Sequence, residues 1–327
     1  MIHAQQLART FQVRRGKAKV ELTAVDGVDL DVDAREIVGF LGPNGAGKTT
    51  TLRMLTTLLK PTSGRATVAG FDVATQPVQV RRSIGYVSQN GATSSAARVG
   101  DELVDHALLY GIDRAQASRR GHELLDQFEL EGSWTRTPRS LSGGQRRRLD
   151  IAMGLVHDPT LVFLDEPTTG LDPQARANLW THIAALRTER GATVFLTTHY
   201  LDEADALCDR IFVIDHGTIV ACDTPDNLKR QVSGDLIQLT VTDPAHEAGI
   251  ATRLEAVVGV AGIERTDRGP EGRVVSARVP SAATALPGLL RSLDADGVQL
   301  MAVEVHRPTL DDVFLTMTGR SLRDDAA

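Results

Sequence analysis

The chain has 327 residues, of which 42% are apolar, 24% charged and 4% aromatic, with 36 Lys and Arg against 42 Asp and Glu for a formal net charge of −6. This is a globular composition long enough for about two domains, which excludes a collagen-like or disordered chain. With no basic excess and few aromatics, neither a phosphate-coating surface nor a stacking platform for single strands can be built, so no nucleic-acid partner is expected.

In chain order, residues 1–36 read as an antiparallel, half-exposed sheet, because Val25, Val28, Leu30 and Val32 partly alternate with acidic or small residues. A first buried strand is expected over 37–41, short, aliphatic and barely alternating, as parallel strands covered on both faces are. A helix follows over 49–59. From about 90 to 155 the pattern is mostly helical, with Leu103, Ala107 and Leu108 at helical spacing, and forms an insertion between core strands. Buried strands recur at 161–164 and 194–196, with a helix over 174–189 between them. That is α/β order, with functional loops at the carboxyl ends of the strands. Strands at 211–214 and 218–220 flank His216-Gly217 as a hairpin. The two cysteines, Cys208 and Cys222, are too few for a disulfide framework or a four-cysteine zinc site and are expected as small core residues in a reduced compartment.

A domain boundary is expected near Ser233-Gly234. Beyond it, strands at 236–241, 260–265, 273–279 and 298–305 and helices at 248–258 and 283–293 give the order β-α-β-β-α-β of a ferredoxin-like unit, with a turn over 267–272. Thr309, with Asp312 three residues on, opens a last helix whose apolar face is Leu310, Val313, Phe314 and Met317 and whose stop is Gly319. Residues 321–327 read as a charged tail. No apolar run reaches the roughly 18 residues of a membrane span, and the first residues lack a signal-peptide pattern.

Gly42-Pro43-Asn44-Gly45-Ala46-Gly47-Lys48-Thr49 fits the phosphate-loop pattern G-x-x-x-x-G-K-[ST], with a buried strand before it and a helix after it. The glycines let backbone N–H groups converge on phosphate oxygens at a helix N-terminus. Lys48 is suited to bridging the β- and γ-phosphates, and the Thr49 hydroxyl to coordinating Mg²⁺. Asp165 and Glu166 end the strand at 161–164, Asp165 as a holder of Mg²⁺ and Glu166 as the group that orients or deprotonates the attacking water. Leu141-Ser142-Gly143-Gly144-Gln145 precedes a helix, so that Ser142 and the amides of Gly143 and Gly144 form a second anion site. Two phosphate sites far apart in one chain are reconciled by a head-to-tail pair, in which residues 141–145 of one copy cap the nucleotide on the phosphate loop of the other. Arg146-Arg147-Arg148 reads as a solvated helix face.

The order of the phosphate loop, Gln89, residues 141–145, Leu164-Asp165-Glu166-Pro167, Gly170-Leu171-Asp172 and His199 resembles the ATP-binding-cassette (ABC) ATPase family over about residues 1–230. The stretch 197–205, TTHYLDEAD, resembles drug-exporting members, and 308–320, PTLDDVFLTMTGR, is similar to the daunorubicin-resistance ATP-binding subunits of bacteria. The resemblance implies an α/β P-loop cassette over 1–232, with a parallel core sheet, an antiparallel β subdomain and a helical subdomain at about 90–155. A small α+β ferredoxin-like accessory domain then covers 233–320. It implies ATP and Mg²⁺ as cofactors, with nucleotide contacts running through Thr50 and reaching Gln145 and Asp172. Gln89 would sense Mg²⁺ and water in catalysis and link to the membrane partner, His199 would bond the γ-phosphate, and Asp172 would communicate across the dimer. Phe11 stands where the family has an aromatic on adenine. It is either that platform or a core phenylalanine in an irregular stretch, 12–23.

The function so implied is that of an ATPase subunit that dimerises around two MgATP and powers efflux of a drug, antibiotic or lipid-like compound. A separate transmembrane permease, docked around 90–110, would carry the pathway, and the chain would sit at the cytoplasmic face of the cell membrane. The rivals are a non-transport ABC ATPase and a cassette whose residues 234–320 are a regulatory ligand-binding module. The single set of motifs and the lack of an extended heptad run speak against the first, and no site motif supports the second.

Overall fold

The computed structural model of the chain describes residues 1–319 apart from 16–17, 92, 94–95, 233, 242, 244, 258–259 and 268–272. The expected tail, and most of the turn expected over 267–272, lie outside the described residues. Two compact units result, Met1–Pro225 and a second beginning at Asp226.

In the first unit, β1 (Ile2–Arg15) and β2 (Ala18–Val32) form a long antiparallel pair. Leu7, Val25, Val28, Leu30 and Val32 are buried, so one face of this part of the sheet rests on the core, whereas Val20 and Leu22 farther along the pair are exposed. The described residues of the stretch 12–23 are not irregular but pair in continuous register. Gln12 pairs with Glu21 and Val13 with Val20, and Gln12 Nε2 donates to Glu21 Oε1 at 2.7 Å. The central strand β3 (Ile37–Leu41) follows, and then β4 (Ser63–Val68) and β5 (Phe71–Asp72), which extend the first sheet in the order β2-β1-β4-β5.

The second sheet contains β6 (Ile84–Val87), β7 (Leu161–Asp165), β8 (Thr193–Thr198), β9 (Arg210–Asp215) and β10 (Thr218–Asp223), in the order β10-β9-β3-β8-β7-β6. Only β10 runs antiparallel, as the outer arm of the expected hairpin. β3, β7 and β8 are buried at every position, which is why they do not alternate. Cys208 is buried as expected, whereas Cys222 is exposed on the edge strand β10, whose outward positions alternate with half-buried ones.

Helices α1 (Lys48–Leu55) and α2 (Pro77–Ser83) lie among these strands, and α3 (Val99–Leu109), α4 (Arg114–Gln127) and α5 (Gly143–Leu155) form the helical insertion. The helix expected over 49–59 is therefore shorter. Its last turn is diverted because the Thr56 hydroxyl donates to the Leu52 carbonyl and Thr57 turns left-handed at φ 63°. The insertion closes on Trp134. A Cβ on Gly100 would lie 2.3 Å from its ring, and one on Gly121 2.9 Å, so both helices approach it through glycine. Helices α6 (Pro173–Thr188) and α7 (Leu201–Leu207) complete the unit.

At the end of α5, His157 stacks on Tyr110 at 3.7 Å, and its Nε2 donates to the Ile84 carbonyl at 2.9 Å. Burial, aided by nearby His106 and Arg120 and opposed by the Ile84 bond and Asp158, lowers its pKa to about 4. An unfolded histidine titrates near about 6.5, so between there and about 4 the unfolded chain binds a proton that the folded chain refuses. This contribution is complete above that window and declines as pH falls through it. The loss is on the order of 2 kcal/mol, discounted for partial exposure. His157→Gln keeps a donor for Ile84 but does not titrate. Urea unfolding at pH 7 and pH 5 is expected to show a smaller pH penalty in this variant than in the parent.

The second unit holds most of α8 (Pro225–Gln231), because the division falls between Pro225 and Asp226. It continues with β11 (Asp235–Val241), α9 (Ala245–Glu255), β12 (Ala261–Asp267), β13 (Arg273–Val279), α10 (Ala282–Ala295) and β14 (Leu300–His306). The sheet order β12-β13-β11-β14, antiparallel throughout, is the ferredoxin-like arrangement read from the sequence. Ile237, Leu239 and Val241 on β11 meet Ile250, Leu254, Leu289 and Leu293 from the two helices to form its core. α11 (Leu310–Thr318) starts on the Thr309–Asp312 capping box and ends at Gly319 with φ 75°. Leu310, Val313 and Phe314 are buried, and Met317 is half-buried. Among the described residues no helix is long and apolar enough to cross a membrane.

Candidate functional site

The phosphate loop joins β3 to α1. Its backbone requires glycine at two places. At Gly47 φ is 107°, and a Cβ would lie 2.6 Å from the Ala24 carbonyl oxygen. At Gly42 a Cβ would lie 2.2 Å from the Ile214 carbonyl oxygen. Pro43, Asn44, Gly45 and Ala46 form the turn between them, with Asn44 and Gly45 exposed, and Thr50 is half-buried on the first turn of α1. Lys48 is 4% exposed, and its Nζ donates to the Gly42 and Pro43 carbonyls at 2.7 and 3.0 Å. Burial lowers the Lys48 pKa, against the raising influence of Glu166 and Asp165.

Glu166 is the centre on which the other groups converge. Its Oε1 lies 3.5 Å from Lys48 Nζ. Its Oε2 accepts from Gln89 Nε2 at 2.9 Å and from the Thr169 hydroxyl at 3.2 Å, and lies 3.4 Å from His199 Nδ1. Burial pushes the carboxyl pKa up, but His199, Lys48 and Thr169 outweigh it and hold the pKa below its ordinary value. The group is therefore ionised at neutral pH, as an acceptor for a water proton must be. Asp165 stands beside it. Its Oδ1 accepts from Thr49 at 3.1 Å and from Thr197 at 2.7 Å. A hydroxyl, a carboxylate and the amide oxygen of Gln89 are hard oxygen donors, the set that Mg²⁺ takes alongside phosphate oxygens.

Residues 141–145 gather elsewhere. Ser142 is the N-cap of α5, accepting from the Gln145 N–H at 3.2 Å, while Gln145 Oε1 accepts from the Ser142 N–H at 3.0 Å. Asp172 caps α6 in the same manner through the Ala175 N–H at 2.8 Å. Both caps open on a hollow of about 280 Å³ that Gly144 and Gln145 also line and that no phosphate-loop residue reaches. Gly143 packs toward Leu171, and Gly144 toward Ala175. One chain thus carries two separate constellations, as the head-to-tail reading requires.

Phe11 is not a core residue. It is half-buried on β1, paired with Leu22, with the Arg9 guanidinium 4.7 Å from its ring centre. Leu22 is two residues from Ala24, which abuts Gly47, so the ring belongs to the strand pair beside the phosphate loop. Sequence reasoning missed three participants. Thr197 and Thr169 hydrogen-bond the two carboxylates, and Arg147 does not lie on a solvated face but is buried behind them. A hydroxyl within TTHYLDEAD was the available signal for Thr197.

Comparison with known proteins gives the family of the chain. Residues 25–169 match the family model described as ABC transporter, and 224–318 the one described as ATP-binding protein DrrA1-3-like, C-terminal domain. The chain is 44% identical over 307 residues to the daunorubicin resistance ATP-binding protein DrrA2 of Streptomyces coeruleorubidus, covering 94% of each. It is 39% identical over 311 residues to the doxorubicin resistance ATP-binding protein DrrA of Mycobacterium tuberculosis, covering 94% of this chain and 92% of that one. A solved dimeric ATP-binding cassette in a post-hydrolysis state, bound to ADP and Pi, matches with a TM-score of 0.62 and 25% identity, over 68% of this chain and 98% of that chain.

Proposed function

Because the chain belongs to the ABC transporter ATP-binding subunits with a DrrA-like C-terminal domain, we propose that the ATP it hydrolyses powers efflux of a drug, antibiotic or lipid-like compound through a separate membrane permease. The observation that carries this reading is the convergence of Lys48, Gln89, His199 and Thr169 on one ionised carboxylate, Glu166. Lys48 and the loop amides bind the β- and γ-phosphates. Glu166 accepts the proton of the attacking water, while Gln89 and His199 orient the water and the γ-phosphate. Thr49, Asp165 and Gln89 would hold Mg²⁺, which neutralises phosphate charge when bound. Phe11 offers its half-exposed face to adenine.

A second copy completes the site. Its Ser142, with the Gly143, Gly144 and Gln145 amides, closes on the γ-phosphate, and its Asp172 lies beside that contact. Hydrolysis removes the bridging charge and the pair opens, so the differential affinity for ATP and ADP is the source of motion. On α3, Leu108 and Leu109 are exposed, which supports docking of the permease around 90–110. Residues 92, 94 and 95 of that stretch lie outside the described residues. The cassette is assigned to 1–232 and an accessory domain, supporting the dimer or the permease contact, to 233–320. The site of action is the cytoplasmic face of the membrane.

The test uses inside-out vesicles carrying the chain and its permease. Daunorubicin uptake is expected only with MgATP and is expected to vanish with Glu166→Gln. Uptake that survives that substitution contradicts the reading.

A further inference from the structure

The three arginines after residues 141–145 have different surroundings. Arg146 is exposed, and its Nε donates to the Pro138 carbonyl at 3.3 Å. Arg148 pairs with Glu129 at 2.7 Å. Arg147 turns inward and is 7% exposed. A buried guanidinium has five N–H donors to satisfy, and this one makes four hydrogen bonds to backbone carbonyls. Nε donates to Pro167 at 2.7 Å, Nη1 to Ser88 at 2.6 Å, and Nη2 to Asp165 at 2.9 Å and to Glu166 at 3.4 Å.

These carbonyls belong to two segments that both reach the hydrolytic centre. Ser88 immediately precedes Gln89. Residues 165–167 form the turn on which Glu166 sits, and there Glu166 has φ 44°, a left-handed conformation that a non-glycine residue holds only when its surroundings impose it. One side of that turn is fixed by Thr197, whose carbonyl and hydroxyl accept the Glu166 N–H at 3.2 and 3.0 Å. The other side is fixed by Arg147. The Gln89–Glu166 hydrogen bond therefore joins two side chains whose backbones are gripped by a single guanidinium.

Resting on the reading of Glu166 as the group that activates water, we infer that Arg147 is a positioning residue for hydrolysis. It sets the register of Gln89 against Glu166 and ties that register to α5, the helix that Ser142 caps. A movement of α5 reaches both groups through one rigid side chain. The role needs the planar fork. Lysine has the same charge, but its three donors radiate from one atom and cannot span carbonyls on two segments.

Arg147→Lys and Arg147→Gln, each in the full chain assembled with its permease, are compared with the parent and with Glu166→Gln. Arg147→Lys is expected to fold, to keep KM and the ATP Kd within about twofold, and to lose at least about tenfold in kcat, the signature of misplaced reacting groups rather than weakened binding. A merely structural role would lower kcat only in proportion to the folded fraction measured by thermal unfolding. The proposal is overturned by kcat within about threefold of the parent in folded Arg147→Lys, by a loss that tracks the folded fraction, or by failure of both variants to fold. Retained turnover in Glu166→Gln would defeat the reading of Glu166. An inactive Glu166→Gln beside a fully active Arg147→Lys would defeat this inference alone.

Discussion

Glu166→Gln is expected to lower the ATPase turnover number at least about 100-fold while leaving the ATP Kd within about threefold of the parent, since general-base catalysis contributes roughly 10²–10⁴. The substitution conserves shape, and glutamine can still accept from Gln89 and Thr169 through its carbonyl oxygen. What it removes is the negative charge that His199 and Lys48 keep ionised. Binding is assigned to Lys48 and the loop amides; Lys48 loses a charged neighbour at 3.5 Å in this variant but keeps the Gly42 and Pro43 carbonyls that hold its ammonium. Equilibrium nucleotide titration and single-turnover phosphate release separate the two quantities. Because the carboxyl pKa lies below its ordinary value, its proton is lost before neutrality, and its contribution to turnover fails only as pH falls through that lowered value.

Lys48→Ala is expected to act on the other quantity, raising the ATP Kd by at least about tenfold, consistent with about 1.5–3 kcal/mol for a hydrogen bond to a charged group. Lys48 is buried, its ammonium rests on the Gly42 and Pro43 carbonyls, and it faces Glu166 at 3.5 Å. Phosphate oxygens arriving in the cradle meet a positive charge already held in place, so little ordering is needed on binding. Alanine also leaves Glu166 without the charge that helps keep it ionised, so turnover falls as well. An ATP Kd within about threefold of the parent would contradict the role given to Lys48.

The parts of the site that were legible in sequence are those in which chemistry demands contiguous residues. A loop that wraps phosphate needs its glycines and Lys48 within one turn, and the strand ahead of it must be buried, so Gly42 to Thr49 could be read directly. The buried strands at 37–41, 161–164 and 194–196 showed themselves by their failure to alternate, and the ferredoxin-like order by the alternation of its short elements. What stayed hidden depends on phase and on tertiary partners. Successive residues of a helix point about 100° apart, so of three adjacent arginines some must face inward, and only the packing of α5 against the strand ends selects Arg147. Thr197 gains its role from Asp165 on the neighbouring strand, and Thr169 gains its role from the turn that brings it back onto Glu166 three residues earlier. Phe11 left two readings open because polar pairs such as Gln12 with Glu21 and Arg14 with Lys19 interrupt the apolar pattern next to it. The shortened α1 and the exposed Cys222 follow from a hydroxyl bond to Leu52 and an edge strand, neither of which has a sequence signature.

The central claim is that ATP is held between two copies of the chain, and sedimentation of Glu166→Gln with and without ATP tests it most directly. The account expects a monomer without nucleotide, a dimer with saturating ATP, and no ATP-driven dimer when Lys48→Ala is added to the same chain. A Glu166→Gln chain that binds ATP yet stays monomeric would contradict the account, as would one that dimerises equally with and without nucleotide.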